Sequence, residues 1–290
     1  MSNLKTLLTP LSAHEQAIAL CLLSFYLKQD QSTLLAHLNE INLSKALLKR
    51  FQKDYTAWKN GYALAYLTQE KYFYGRAFYV NPSVLIPRPE SELIVDIAFN
   101  YLKNKKTKYQ IIDVGTGSGA LIISLALSLK ETVNQLFKKV QFLAVDISKK
   151  ALKVAQINAK TYNLKQSIVF QESNLLKGVS KKLLEKNDPL LILANLPYLT
   201  PTERNSEQSI ACEPSKALIG GSDGLVLYRR LLKQLIPILK NRSSYLIIME
   251  INPHQASDLV QYASRYFPTK QISKKSDLSS RTRFVIIEKK

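Results

Sequence analysis

Two short stretches carry residue types from which a reaction could be built. The first is 113–119, Asp-Val-Gly-Thr-Gly-Ser-Gly. Three glycines at alternate positions let the backbone turn sharply and approach a bound group with no Cβ in the way. Loops that hold a pyrophosphate use bare helix N–H groups and a G-x-G-x-x-G spacing. Here Asp113 precedes the first glycine, where its carboxylate would repel phosphate but suit a ligand carrying ammonium and sulfonium charges. A second acid, Asp146, lies where a carboxylate accepts from both hydroxyls of a ribose. The other stretch is Asn195-Leu-Pro-Tyr198. An amide oxygen beside a backbone carbonyl offers two acceptors, and a tyrosine ring offers a flat face.

The first stretch resembles the S-adenosylmethionine loop of class I methyltransferases. That resemblance implies that Asp113, Gly115, Thr116, Gly117, Ser118, Gly119 and Asp146 hold the cofactor. It also expects an adenine contact at Asn174 and Leu175, with Asn174 standing where many relatives carry Asp, and a further cofactor contact at Asn195. Asn195-Leu196-Pro197-Tyr198 resembles the N-P-P-Y loop of methyltransferases acting on a planar, conjugated NH2. Such a nitrogen has its lone pair delocalised and is a poor nucleophile. The Asn195 oxygen and the Leu196 carbonyl would accept its two N–H bonds and tilt lone-pair density towards the sulfonium methyl, while Tyr198 stacks on the plane. Leu196 replaces the first proline, which keeps the carbonyl but gives up the fixed φ.

These loops need strands behind them and helices after them. Apolar strand patterns at 109–114, 140–145, 167–171 and 190–194 alternate with helical patterns at 90–102, 120–130, 149–162 and 225–239. This alternation predicts an α/β fold: a Rossmann-like, mainly parallel sheet covered on both faces. Closely spaced strand signals at 245–251 and 283–288 add an antiparallel C-terminal edge. Residues 89–290 are thus expected to form the catalytic domain. Residues 71–88 change to aromatic and β-branched residues around Gly75 and Asn81-Pro82, a β-hairpin linker. Residues 1–70 read as a small all-helical domain, with apolar spacing through Ile18, Leu22 and Phe25 and polar caps at Ser12, Asp30–Ser32 and Asn42–Ser44.

Lys and Arg number 41 against 22 Asp and Glu, a net charge of +19 over 290 residues. A hydrophobic content of 46% excludes a disordered chain. The longest apolar run, 17–27, is too short to span a bilayer and lacks the basic flank of a signal peptide. Cys21 and Cys212 make no disulfide framework, and with His14, His37 and His254 scattered no metal site is expected. These features point to a cytoplasmic protein. The charge points first to an anionic partner. The lysine runs at 103–108, 149–150, 181–182 and 274–275 read as solvated faces, with no RNA-binding aromatics among them.

The substrate is narrowed by two longer segments: 84–93 (Val-Leu-Ile-Pro-Arg-Pro-Glu-Ser-Glu-Leu) and 213–225 (Glu-Pro-Ser-Lys-Ala-Leu-Ile-Gly-Gly-Ser-Asp-Gly-Leu). Both resemble segments of the HemK-type peptide-chain release factor N(5)-glutamine methyltransferases. So do Phe73-Tyr-Gly75 with Phe78-Tyr-Val80, Glu250-Ile251 with Gln255, and Asp277-Leu278 with Arg283. The resemblance covers the chain from about Tyr72 to its end, and a helical head ahead of a hairpin linker is that family's architecture. It implies methyl transfer to the glutamine of a Gly-Gly-Gln loop, with Asn195–Tyr198 holding the glutamine, Arg88 and Glu90 facing the cofactor pocket, and the head docking the release factor. The partner is expected to be an acidic protein steered by the positive field, nucleic acid not required, and the enzyme a monomer. The alternative is an adenine N6-methyltransferase of ribosomal RNA or DNA, since N-L-P-Y also occurs in ribosomal-RNA adenine dimethyltransferases.

Overall fold

The structure, a computed structural model, describes residues 2–184 and 187–290. The chain forms two compact units: Met1–Glu70 with Glu207–Cys212, and Lys71–Ser206 with Glu213–Lys290. The side chains of the 181–182 lysine pair lie outside the described residues.

In the smaller unit, helices Ala13–Leu27 and Lys45–Lys59 are the longest. Ser12 begins the first with a capping box, its backbone N–H donating to the Glu15 carboxylate at 3.0 Å. Asp30 and Ser44 cap the next two helices through their side chains. The apolar faces close on Leu4, Leu22, Leu23, Leu34, Leu43 and Phe51. This unit is not all-helical: β1 (Ser2–Asn3) pairs antiparallel with β2 (Asn42–Leu43). Two-residue strands show no readable alternation, and Asn42 looked like part of a helix cap. Residues Glu207–Cys212 also group here rather than with 89–290, through contacts distant in sequence.

The larger unit begins with a hairpin, β3 (Glu70–Phe73) and β4 (Arg76–Tyr79). Tyr74 and Gly75 between them both have positive φ, 52° and 69°, the geometry a two-residue hairpin turn requires. Residues 80–88 continue without a strand. The main sheet comprises β5 (Gln110–Val114), β6 (Gln141–Asp146), β7 (Ile168–Glu172), β8 (Leu190–Ala194), β9 (Tyr245–Glu250), β10 (Ile272–Ser276) and β11 (Thr282–Lys289). Its order is β10-β11-β9-β8-β5-β6-β7. The first five strands of this set run parallel, while β11 pairs antiparallel with β9 and β10 antiparallel with β11. The sequence reading missed β10, whose Ile-Ser-Lys-Lys-Ser is an exposed, lysine-bearing edge of the sort that resists further pairing.

Alternate strand residues face opposite layers. Ile111, Leu191 and Ile248 pack with helices Glu92–Leu102 and Ala120–Thr132. Ile112, Ile192 and Ile247 pack with helices Val226–Leu239 and Ala256–Ala263. The chain builds outwards from β5 in both directions, to β6 and β7 on one side and β8 and β9 on the other. That reversal opens a crevice at the carboxyl ends of the central strands, where open α/β sheets bind ligands. Among the described residues no helix is long and apolar enough to cross a membrane.

Candidate active site

A cavity of about 550 Å³ occupies that crevice, within the usual range for small-molecule sites. The turns after β5, β6, β7 and β8 supply its walls, joined by residues from 82–91 and 214–217. The Gly115–Ser118 turn lines it. Gly115 has φ 76°, and a Cβ there would stand 2.9 Å from Leu196 Cδ2, so glycine lets the catalytic loop lie directly against the ligand turn. Gly119 faces away and is not on the wall: a Cβ there would meet Ile123 and Ala155. Its role is helix packing.

The two acids differ from the simple expectation. Asp113 is fully buried behind the turn and does not line the cavity. Its Oδ2 accepts from Thr116 Oγ1 at 2.7 Å, and Oδ1 has no close hydrogen-bond partner among the described residues. Burial first, then the nearby Asp146 charge, raises its pKa to about 7. Asp113 therefore braces the turn instead of meeting a ligand's cationic groups. Asp146 does line the cavity. Gly117 N–H donates to Oδ2 at 2.9 Å and Ser148 N–H to Oδ1 at 2.8 Å. These bonds fix the carboxylate while leaving each oxygen a further lone pair. Burial raises its pKa, against those backbone bonds.

Asn195, Leu196 and Pro197 line the opposite wall. Asn195 Nδ2 donates to Ser91 Oγ at 2.7 Å, and Ser91 Oγ donates to Glu250 Oε2 at 2.6 Å. Glu250 is fully buried, which raises its pKa to about 7. Leu196 N–H donates to the Tyr228 hydroxyl at 3.0 Å, and that hydroxyl donates to the Glu250 carbonyl. Tyr198 sits behind the wall, packed against the core, its pKa raised to about 12 chiefly by burial. The 213–225 segment braces this loop. A Cβ on Gly224 would stand 2.0 Å from the Tyr198 carbonyl oxygen, and Gln255 Nε2 donates to the same oxygen at 2.7 Å.

Arg88 lines the cavity and pairs with the buried Glu213, which also accepts from Ile86 N–H at 3.0 Å. Glu90 is exposed and off the wall: one turn of 3-10 helix, Pro89–Ser91, turns it outwards while burying Ser91. Asn174 and Leu175 both line the cavity, and Asn174 Oδ1 accepts from Arg230 at 3.2 Å. The structure thus gathers the Gly115–Ser118 turn, Asp146, Asn174, Leu175, Arg88 and Asn195–Pro197 around one space. Asp113, Gly119, Glu90 and Tyr198 stand outside it. Sequence reasoning missed Ser91, Tyr228 and the exposed, cavity-lining Ile147. It noted Glu250 only as part of a segment, although an acid ending an apolar strand is the pattern it used for Asp146.

A ligand that presents hydroxyls to Asp146 fits these walls, because Asp146 is held ready to accept and the turn beside it carries no Cβ at Gly115 or Gly117. S-adenosylmethionine is such a ligand and is the cofactor of this fold's methyltransferases. Residues 105–277 match a family described as a methyltransferase domain. The release factor glutamine methyltransferase of Bacillus subtilis (strain 168) is 32% identical over 282 residues, 94% of this chain and 91% of the relative. That of Mycoplasma mycoides subsp. mycoides SC is 33% identical over 241 residues, 83% of this chain and 80% of the relative. Among solved structures, the hMettl16 catalytic domain in complex with MAT2A 3′UTR hairpin 6 aligns with a TM-score of 0.55 and 14% identity, over 86% of this chain and 83% of that one. At that identity the likeness speaks for the fold alone. Extended similarity at about a third identity, on a site built from a glycine turn and an Asn-Leu-Pro-Tyr loop, makes this chain a member of the release factor glutamine methyltransferase family.

Proposed function

We propose that this enzyme methylates the side-chain amide nitrogen of the glutamine in the Gly-Gly-Gln loop of a peptide-chain release factor, supporting translation termination. The observation that carries this reading is the Asn195 amide. Its Nδ2 is committed to Ser91, so the group it offers an acceptor is Oδ1, with the Leu196 carbonyl as the adjoining backbone acceptor. Two acceptors side by side match the two N–H bonds of a planar NH2. Bound S-adenosylmethionine supplies an electrophilic methyl. Asp146 and the Gly115–Ser118 turn hold the cofactor, with Asn174 and Leu175 beside its base and Arg88 closing the pocket. Pro197 keeps the acceptor loop rigid. Tyr198 shapes that loop from behind, and Asp113 and Gly119 support the turn. Adenine also presents such an NH2, but the relatives at about a third identity are named for glutamine.

The same reading takes the partner to be an acidic protein, docked with help from residues 1–70, and the enzyme to work as a cytoplasmic monomer with no need of nucleic acid. The net charge of +19 supports steering of such a partner. Incubation with methyl-labelled cofactor and a release factor is the test. Label should appear on the release factor and vanish when its Gly-Gly-Gln glutamine is replaced; label that persists, or that goes to ribosomal RNA instead, overturns the reading. Asn195→Ala should abolish transfer while cofactor affinity stays within a few-fold.

A further inference from the structure

Asn195 is useful only one way round. An amide that presents Oδ1 to the cavity accepts an N–H; the flipped amide presents Nδ2, a donor, and repels the acceptor's NH2. Nothing in the residue itself chooses, since the two ends are nearly isosteric. The choice comes from a second residue and then a third. Ser91 Oγ lies 2.7 Å from Asn195 Nδ2 and 2.6 Å from Glu250 Oε2. A serine hydroxyl has a single proton. An ionised carboxylate can only accept, so above the Glu250 pKa of about 7 the proton of Ser91 goes to Glu250. The lone pairs of Ser91 are then what Asn195 meets, and only the Nδ2 end can bond to them. Polarity thus passes from Glu250 at the end of β9, through Ser91 at the mouth of helix Glu92–Leu102, to Asn195 after β8. The three groups come from distant parts of the chain and are 1% exposed at Glu250 and 3% at Ser91, so water does not compete for the bonds.

We infer that Ser91 and Glu250 are positioning residues for methyl transfer: together they fix which atom of the Asn195 amide faces the acceptor nitrogen. The inference rests on the reading of Asn195 as the acceptor-binding residue. The charge on Glu250 is the source of the polarity. Arg283 from β11 and Arg88 favour that charge, Glu90 opposes it, and Tyr228 from helix Val226–Leu239 and Tyr198 also face the carboxylate. Replacing Glu250 with glutamine keeps the shape but ends the one-way rule. A glutamine can donate to Ser91, whose proton then turns to Asn195 and stabilises the flipped amide.

The test compares Glu250→Gln, Ser91→Ala, Ser91→Thr and Asn195→Ala in steady-state methyl transfer to a release factor, with cofactor affinity and thermal stability measured on each. Glu250→Gln and Ser91→Ala should lower kcat by about 10- to 100-fold, the usual effect of removing a partner that orients a site residue. The KM for release factor and the cofactor Kd should stay within about 3-fold, and melting temperature should not fall for Glu250→Gln. Ser91→Thr, which keeps the hydroxyl, should recover most of the loss. A merely structural role would lower stability or cofactor affinity together with rate and would not separate Ser91→Thr from Ser91→Ala. Unchanged kcat in Glu250→Gln and Ser91→Ala, alongside an inactive Asn195→Ala, overturns the relay and leaves the role of Asn195 standing. Full activity in Asn195→Ala overturns that role itself.

Discussion

Glu250 pairs a functional arrangement with a measurable cost to stability. Burial is the largest cause of its raised pKa, and Ser91, Arg283 and Arg88 only partly offset it, leaving the value at about 7 against an ordinary 4.5. Between those two values the folded protein binds a proton that the unfolded chain has released. Stability therefore falls as pH rises from about 4.5 to 7 and levels off above, the reverse of a salt-bridged carboxylate. At 1.36 kcal/mol per decade of acidity, the penalty at pH 8 is roughly 3 kcal/mol, against almost nothing at pH 4. Glutamine in its place is never ionised. Glu250→Gln should accordingly match the parent at pH 4 and exceed it by roughly 3 kcal/mol at pH 8, a melting shift of about 6–12 °C for a unit of this size.

Urea unfolding of parent and variant across pH 4 to 8, followed by circular dichroism, measures the difference directly. Intrinsic fluorescence would report the wrong part of the molecule, since the single tryptophan, Trp58, belongs to the smaller unit. Asp113 has the same sign, raised from 3.8 to about 7 by burial, but it is present in both proteins and cancels. A difference that stays flat within about 0.5 kcal/mol over this range, or a variant less stable than the parent at pH 8, would refute the reasoning. With the expected loss of kcat, a variant both more stable and less active would show a buried charge retained for orientation at the expense of stability.

Two other perturbations follow from the loop behind Asn195. Gly224→Ala places a Cβ 2.0 Å from the Tyr198 carbonyl oxygen at a φ of 71°; it should displace the Asn195–Tyr198 loop and lower kcat by at least about 10-fold while cofactor affinity, measured by titration, holds. Tyr228→Phe strips the acceptor from Leu196 N–H and the donor from the Glu250 carbonyl, both buried, and should destabilise by about 2–4 kcal/mol in urea unfolding.

Most of the parallel sheet was legible because its strands are continuous apolar runs bounded by glycines and acids, and the alternation with helices forces the layering. The ligand turn and Asn195–Tyr198 were legible because chemistry restricts their residue types at fixed spacing. What escaped was whatever depends on partners distant in the chain. Asp113 reads as a ligand contact from its place at a strand end, yet the register of β5 turns its side chain behind the turn, to Thr116. Glu90 and Ser91 are neighbours in one segment, and only the single turn of 3-10 helix decides that Ser91 is buried beside Asn195 and Glu90 exposed. The pairing of Glu250 with Ser91 joins residues 159 apart. No local pattern encodes it, although each end alone carries a hint: an acid after five apolar-strand residues, and a small hydroxyl directly after a constrained Pro-Arg-Pro-Glu run.

The charge needs the same correction by geometry. Residues 1–80 hold nine Lys and Arg against five Asp and Glu, which leaves +15 of the +19 to the rest of the chain, and the dense run at 103–108 looks like the natural source of a steering field. It precedes β5, however, and so lies at the amino end of the sheet, while the cavity opens at the carboxyl end. The length of β5 alone separates them by about 17 Å, roughly two screening lengths at physiological salt. Lys149 and Lys150 instead follow β6 directly, and Lys150 lines the cavity. Charge reversal of Lys149 and Lys150 should therefore slow association with a release factor several-fold at low salt, with the effect fading as salt rises, whereas neutralising the 103–108 lysines should leave the on-rate within about two-fold at 0.15 M salt. Stopped-flow association of labelled release factor distinguishes the two, and a larger effect from the 103–108 run would show that the partner's approach is guided by the molecule's total charge and not by the field at the mouth of the site.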